Sequence, residues 1–291
     1  MKFFINLFRL TRPLSNTKNV LIIFLAFFLS GTEFHLGKAI LGFLSLSLAC
    51  SAVYAFNTLS DSKIDKNNKN KEHYSESVLY FGAKKIYIIL ASAVILGLVS
   101  GFFVNVYFFL IILLILFFGF LYSSPSARFK ERVLLDVLFG AIFTFPLRFI
   151  AAWFIFKISF PPLLPILALA FAKGGGYMMY KELDRQFLLE QHIKNSITGI
   201  SRKNSIIISS LLMFFSIISV FLMCFNSEYL KIGLLGYLPF KFLILLPLAF
   251  PPLIVIYLKI FNKINIKNNN LRIIGFIYAL FSLVFGVILL L

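Results

Sequence analysis

Nine long apolar segments alternate with short polar gaps along this chain, at 19–36, 39–57, 86–103, 105–122, 134–156, 161–180, 205–225, 238–258 and 272–291. Each approaches the roughly 20 residues that a helix needs to cross a bilayer. No charged residue occurs between Lys85 and Arg128. That run is too long for one span, so it divides near Gly101 and Asn105 into a tight helical hairpin. The pattern predicts an all-α polytopic membrane protein, with nine transmembrane helices in one integral-membrane domain over residues 1–291. Neither a soluble domain nor a fixed-period repeat interrupts it. The first long run begins near Val20, behind four basic residues and with no small-residue cleavage pattern after it, so it reads as a retained span.

Composition agrees and adds an orientation. The chain is 60% hydrophobic and 13% charged, with mean hydropathy +0.94, which excludes an ordinary soluble domain. The 28 Lys and Arg against 11 Asp and Glu give a formal charge of +17. In a soluble chain that excess would point to nucleic acid. Here the basic residues lie in the gaps, so the expected partner is the lipid bilayer and no nucleic acid. The N-terminal segment and the even-numbered gaps hold 22 of them. The other gaps hold only Lys38, Lys157, Lys231 and Lys241, while Arg148 and Lys173 fall within spans. This asymmetry predicts an N-terminus inside and a C-terminus outside, in a bacterial inner (plasma) membrane. The abundant Phe and the Lys/Asn bias reflect genome composition in part. Cys50 and Cys224 lie within apolar runs and read as small packing residues. The pattern leaves the oligomeric state open.

The chemistry centres on Asn57, Asp61 and Asp65, at the end of the second run. On a helix these positions are one turn apart, drifting only about 40° per step, so all three share one face. Two carboxylates so spaced suit Mg²⁺, which is held by one or two carboxylates together with substrate phosphate oxygens. The plainer alternative is that the Asp residues mark where the helix leaves the bilayer. Most acids lie on the same predicted side: Asp61, Asp65, Glu72, Glu76, Glu131, Asp136, Glu182, Asp184 and Glu190. The polar stretch Tyr180–Glu190 can supply a second ligand set through Glu182 and Asp184, with Lys181 for substrate, or it is an ordinary amphipathic helix. Arg12, Lys18, Arg128 and Lys130 are candidates for contact with a diphosphate, and each alternatively anchors the topology. Asp136 and Arg148 share one span, where ionisable groups are costly and usually paired or functional. They are twelve residues apart and are not expected to pair. Gly174, Gly175 and Gly176 allow close approach of a ligand or of a neighbouring helix. His35, His73 and His192 show no metal-ligand spacing.

Ser51-Ala-Val-Tyr-Ala-Phe-Asn57, leading into N-x-x-x-D-x-x-x-D, resembles the first motif of the UbiA superfamily of intramembrane prenyltransferases. Arg12-Pro13 with Lys18-Asn19 is similar to the segment ahead of span 1 in one branch. Tyr122-Ser123, the basic residues after it and Leu135-Asp136 are similar to the family's Y-S-x-x-L-K…L-D stretch. Leu147-Arg148-Phe-Ile-Ala resembles its L-R-x-x-A. The chain departs from the pattern at Thr58, where most members have Asp. It also lacks the usual Arg-Pro within Lys66–Tyr74 and a D-x-x-x-D second motif.

The resemblance implies nine helices around a central cavity, in two four-helix pseudo-repeats plus one. It implies metal ligands Asp61, Asp65, Glu182 and Asp184, with Asn57 beside them and Mg²⁺ as cofactor. It implies substrate contacts at Arg12, Lys18, Tyr122, Arg128, Lys130, Asp136, Arg148 and Lys181. The first expected activity is transfer of a polyprenyl group from its diphosphate to an acceptor. The second is phosphoribosyl transfer from phosphoribosyl pyrophosphate onto a polyprenyl phosphate, since the layout is most similar to the decaprenyl-phosphate phosphoribosyltransferases. That branch has Lys-Arg where this chain has Met178 and Met179. A non-catalytic scaffold or transporter is the alternative from another class.

Overall fold

The computed structural model describes residues 2–68, 71–261 and 263–264, with single positions at 270, 271, 274, 277, 281 and 284. Every regular element among the described residues is helical. The chain divides into two units, Met1–Pro161 and Pro162–Leu291. The first holds α1 (Lys2–Thr11), α2 (Thr17–Ser30), α3 (Leu36–Asp65), α4 (Glu72–Val104), α5 (Val106–Ser123), α6 (Leu135–Val137) and α7 (Thr144–Phe156). The second holds α8 (Leu163–Glu182), α9 (Arg185–Glu190), α10 (Ser196–Gly199), α11 (Arg202–Phe225) and α12 (Phe250–Ile260).

Among the described residues six helices are long and apolar enough to cross a membrane: α3, α4, α5, the joined stretch Leu135–Phe156, α8, and Arg202–Leu230. The expected count of nine is not reached there. The first expected span shortens to the 14 residues of α2, because Gly31 takes a left-handed conformation (φ 61°) and ends the helix. The eighth is broken. A 3-10 stretch, Phe240–Ala249, carries Pro247 inside it, and α12 starts afresh with Pro251 and Pro252 in its first turn. The ninth, at 272–291, lies outside the described residues, apart from single positions, as do Lys69, Lys267 and Arg272 of the orientation argument.

The uncharged run divides where expected. Asn105 is extended, its side chain accepts a hydrogen bond from the Phe108 amide at 2.8 Å, and its Nδ2 donates to the Phe154 carbonyl. One residue thus ends α4, caps α5 and ties the hairpin to α7. Gly82 breaks α4 with a non-helical backbone (φ 71°), separating a polar first segment from the apolar remainder. Between α6 and α7 a π-helical turn spans Leu138–Ile142. Pro146 has no amide proton for the Ile142 carbonyl, which accounts for the loosened winding just before it.

Small residues set the helix spacing. An added Cβ on Gly97 would lie 3.3 Å from the Ser45 carbonyl, and one on Gly101 2.9 Å from Ser45 Oγ. Ser45 Oγ in turn donates to the Gly97 carbonyl at 2.7 Å, so α3 and α4 touch backbone to backbone. In the second unit Ser209 Oγ donates to the Gly175 carbonyl at 2.7 Å. A Cβ on Gly175 would lie 2.8 Å from the Ser209 carbonyl. The glycine run therefore packs α8 against α11, which decides at Gly175 between the two readings its sequence allowed. Cys50 and Cys224 are buried and free, as packing residues are.

Candidate active site

With 30 residues, α3 is about 45 Å long, well beyond the roughly 30 Å of a hydrocarbon core. Its polar last turns carry Asn57, Asp61 and Asp65 on one face. Asn57 Nδ2 donates to Ser123 Oγ of α5 at 2.8 Å and to Asp61 Oδ2 at 3.2 Å. The other Asp61 oxygen is ion-paired with Lys130, whose side chain is only 8% exposed. Asp65 is buried and faces Lys71 at 3.7 Å. Each carboxylate thus holds a cation delivered by a different loop.

Arg12 approaches the same helix end from the turn after α1. Its Nη2 donates to Thr58 Oγ1 at 2.9 Å, and its guanidinium lies 3.8 Å from the Tyr74 ring centroid. Its backbone is left-handed (φ 48°), as is that of Arg128 (φ 45°). Such conformations are uncommon for residues with a Cβ and draw notice at a site. Arg128 pairs with Glu131 at 2.7 Å. Lys18 is exposed in the first turn of α2, and Tyr122 is half-buried on α5.

Deeper in the first unit Arg148 is buried on α7. Its Nη1 donates to Asn19 Oδ1 at 3.3 Å and its Nη2 to the Tyr54 hydroxyl at 3.2 Å. These partners are neutral, and no ion pair of Arg148 occurs among the described residues. Asp136 is fully buried in the first turn of α6, and it and Arg148 do not pair, as their spacing led one to expect.

The second acidic set occupies the end of α8. Arg185 grips Glu182 with two bonds, Nε to Oε1 at 2.6 Å and Nη2 to Oε2 at 3.0 Å. Arg202 stands 3.5 Å from the same carboxylate, which is 1% exposed. Arg185 Nη1 also donates to the Ile200 carbonyl at 3.0 Å, and Arg202 to that of Ile260. Both oxygens of Glu182 are thereby engaged in joining α8, α9, α11 and α12. Asp184 is half-buried between α8 and α9. Lys181 lies over the Tyr177 ring at 4.9 Å.

The structure thus gathers Asn57, Asp61, Asp65, Lys130 and Arg12 at one end of α3, and places Glu182, Asp184 and Lys181 together in the second unit. Among the described residues no group of three or more His, Cys, Asp or Glu is placed to hold a metal ion by itself. The acid face nonetheless fits a hard divalent cation. Its donors are hard carboxylate oxygens one turn apart on a single helix face, the ligand type such a cation takes together with phosphate oxygens. Sequence reasoning missed Thr58, Ser123, Lys71, Tyr54 and Tyr74. Ser123 and Tyr54 stood inside quoted motifs but with no reason to be assigned a partner. Tyr74 carries no signal, because only folding brings it under Arg12.

A family model for the UbiA prenyltransferase family matches residues 19–280. No match was found among curated proteins. Among solved structures, the chain is similar to a UbiA homolog from Archaeoglobus fulgidus bound to DMAPP and Mg²⁺, with TM-score 0.74 and 22% identity over 98% of this chain and 100% of that one. The same homolog bound to GPP and Mg²⁺ gives TM-score 0.73 and 22% identity over 95% and 96%. The apo structure of a UbiA homolog from Aeropyrum pernix K1 gives 0.69 and 16% over 97% and 98%. These likenesses concern the fold; the matched stretch covers most of both units. The six long apolar helices and the family match make this an integral membrane protein, and the chain belongs to the UbiA prenyltransferase family.

Proposed function

We infer that this chain transfers a prenyl group from an allylic prenyl diphosphate to an acceptor, with Mg²⁺ held at Asp61 and Asp65. The observation that carries this reading is the end of α3, where two carboxylates one turn apart are ringed by Lys130, Lys71 and Arg12. Alternating acids and cations match a metal and the phosphates it accompanies. Family membership supports the reaction class, and the relatives with GPP or DMAPP and Mg²⁺ support the donor class.

When bound, Mg²⁺ supplies charge compensation to the leaving diphosphate. The protein's own groups do the rest. Asn57 fixes the orientation of Asp61 through Ser123. Lys130 supplies a direct hydrogen bond to a phosphate oxygen as the allylic C–O bond breaks and its electron pair leaves with the diphosphate. Arg12 holds a phosphate of the donor equally before and during that step. The acceptor's nucleophile then bonds to the allylic carbon and releases a proton. Lys18, Tyr122, Arg128, Asp136, Arg148 and Lys181 remain in the proposal as substrate contacts, and Glu182 and Asp184 as the second acidic set. Asp184 is the better ligand of that pair, because Glu182 is gripped by Arg185. In this reading residues 1–291 are one transferase domain with nine spans, its acid face on the cytoplasmic side of the plasma membrane.

Prenyl transfer is preferred to phosphoribosyl transfer because Met178 and Met179 are buried at 3% and 5% exposure, where the phosphoribosyl branch carries Lys-Arg. Purified protein should turn over a radiolabelled prenyl diphosphate with Mg²⁺ and stop when EDTA is added. Turnover of phosphoribosyl pyrophosphate with a polyprenyl phosphate, and not of the prenyl diphosphate, would reverse the preference.

A further inference from the structure

Among the described residues Arg12 has no carboxylate within salt-bridge distance, although Asp65, at the same end of α3, lies close enough to feel its charge. The only side-chain hydrogen bond of Arg12 there runs to the neutral hydroxyl of Thr58, which is fully buried. Its Nε is buried and makes no hydrogen bond. A guanidinium in such a place ordinarily has a carboxylate or a ligand. Here aromatic faces take that place, Tyr74 at 3.8 Å from the ring centroid and Tyr54 at 5.8 Å. Stacking fixes the plane of the guanidinium without cancelling its charge.

Three separate elements build this arrangement. The turn after α1 presents Arg12 on a left-handed backbone, with its amide bonded to the Phe8 carbonyl at 3.0 Å. Thr58 comes from α3, one turn before Ser62. Tyr74 comes from the polar start of α4. That start is tied back to α3 by Ser75 Oγ, which donates to the Ser62 carbonyl at 2.9 Å. Tyr74 is therefore not a loose surface ring that happens to lie nearby. Its backbone neighbour is bonded to the same helix that carries Thr58, Asp61 and Asp65.

We propose that Tyr74 and Thr58 are positioning residues, which hold Arg12 in a fixed plane and leave its charge free for a phosphate of the donor. This rests on the prenyl-diphosphate reading above and adds to it a recognition element contributed by an aromatic ring and a neutral hydroxyl. Neither side chain needs to touch substrate. Their effect reaches it through Arg12, so they govern donor affinity and leave the bond-breaking step largely alone.

The test uses the full chain in lipid nanodiscs and inorganic pyrophosphate with Mg²⁺ as the probe, followed by steady-state kinetics with the prenyl diphosphate. Tyr74→Ala should weaken pyrophosphate about tenfold and raise KM for the donor by a similar factor, with kcat changed by less than about threefold. Tyr74→Phe keeps the face and should stay within about twofold of wild type. Thr58→Val, close in shape, removes the hydrogen-bond acceptor and should weaken pyrophosphate about threefold to tenfold. If Tyr74→Ala does not fold, the Phe and Val variants carry the same decision through their opposite expectations. Wild-type affinity in Tyr74→Ala or in Thr58→Val, a Tyr74→Phe as weak as Tyr74→Ala, or a loss confined to kcat would overturn the proposal while leaving prenyl transfer intact. A wild-type chain that binds no pyrophosphate would overturn both.

Discussion

Replacing Asp61 by Asn tests the acid face and the fold together. From the sequence, Asp61 reads as an exposed cavity carboxylate whose loss leaves folding nearly unaffected. Its pairing with Lys130 changes that expectation. The Asp61 side chain is 17% exposed and that of Lys130 is 8%, so the pair is largely withdrawn from water. Removing one member of a buried pair costs roughly 3–5 kcal/mol, because the remaining charge stays desolvated. The Asn carbonyl can still accept from the ammonium, and the site is partly wet, which lowers the cost to about 2 kcal/mol. At roughly 2–4 °C per kcal/mol for a chain of this size, the apparent Tm should fall by about 4–8 °C. Turnover should fall at least about a hundredfold, or about 2.7 kcal/mol of transition-state stabilisation. Fluorescence-detected thermal unfolding in detergent and radiolabel turnover read the two effects separately. The double variant Asp61→Asn with Lys130→Met buries no lone charge and should regain most of the Tm without regaining turnover. An Asp61→Asn protein that melts like wild type would refute the structural pairing. One that turns over within threefold of wild type would refute the role of the acid.

The second acidic set divides by the same logic. Glu182→Gln should lower Tm by about 5 °C or more, since Arg185 and Arg202 lose a carboxylate that is 1% exposed, whereas Asp184→Asn should leave Tm nearly unchanged and reduce turnover at least about tenfold. Equal effects of the two variants on Tm would show that Glu182 is not the clamp. In the packing of α8 on α11, Gly175→Ala should cost about 1–3 kcal/mol, because its Cβ would meet the Ser209 carbonyl at 2.8 Å. Gly176→Ala, with its nearest contact at 3.8 Å, is the control and should melt within about 1 °C of wild type.

What was legible in the sequence is what depends on local pattern. Six of the expected spans appear as long apolar helices because an apolar run of that length has few other ways to satisfy its backbone. The hairpin at Asn105 followed from length alone, and the residue that could cap a helix was there to do it. The single face of Asn57, Asp61 and Asp65 followed from helical period. Illegible were the partners that come from elsewhere in the chain. Lys130 looked like a topological anchor or a substrate contact, and it is buried against an acid 69 residues away. Glu182 looked like a ligand, yet Arg185 three residues later takes both its oxygens, a pairing the i, i+3 spacing allowed but did not require. The eighth expected span is not one continuous helix, because hydropathy does not register that Pro247, Pro251 and Pro252 interrupt the winding.

The balance of charge at the end of α3 carries one more consequence. Two carboxylates, Asp61 and Asp65, stand among three cations, Lys130, Lys71 and Arg12, which leaves a single net positive charge. Such a face has little reason to attract a bare divalent cation, since both acids already have an ammonium beside them. It is better matched to a metal that arrives with a polyanion, whose phosphates answer Arg12 and Lys130 while the metal answers the acids. Mg²⁺ and pyrophosphate should therefore bind with strong positive coupling. Pyrophosphate should tighten Mg²⁺ at least about tenfold, and by linkage Mg²⁺ should tighten pyrophosphate by the same factor. Calorimetric titrations in both orders measure the two factors independently. Lys130→Gln should strengthen the binding of Mg²⁺ alone and diminish the coupling, because one ammonium no longer competes for Asp61. Tight Mg²⁺ binding to the wild-type chain without pyrophosphate, unchanged when pyrophosphate is added, would show that the acid face is a preformed metal site and that the surrounding cations do not set its affinity.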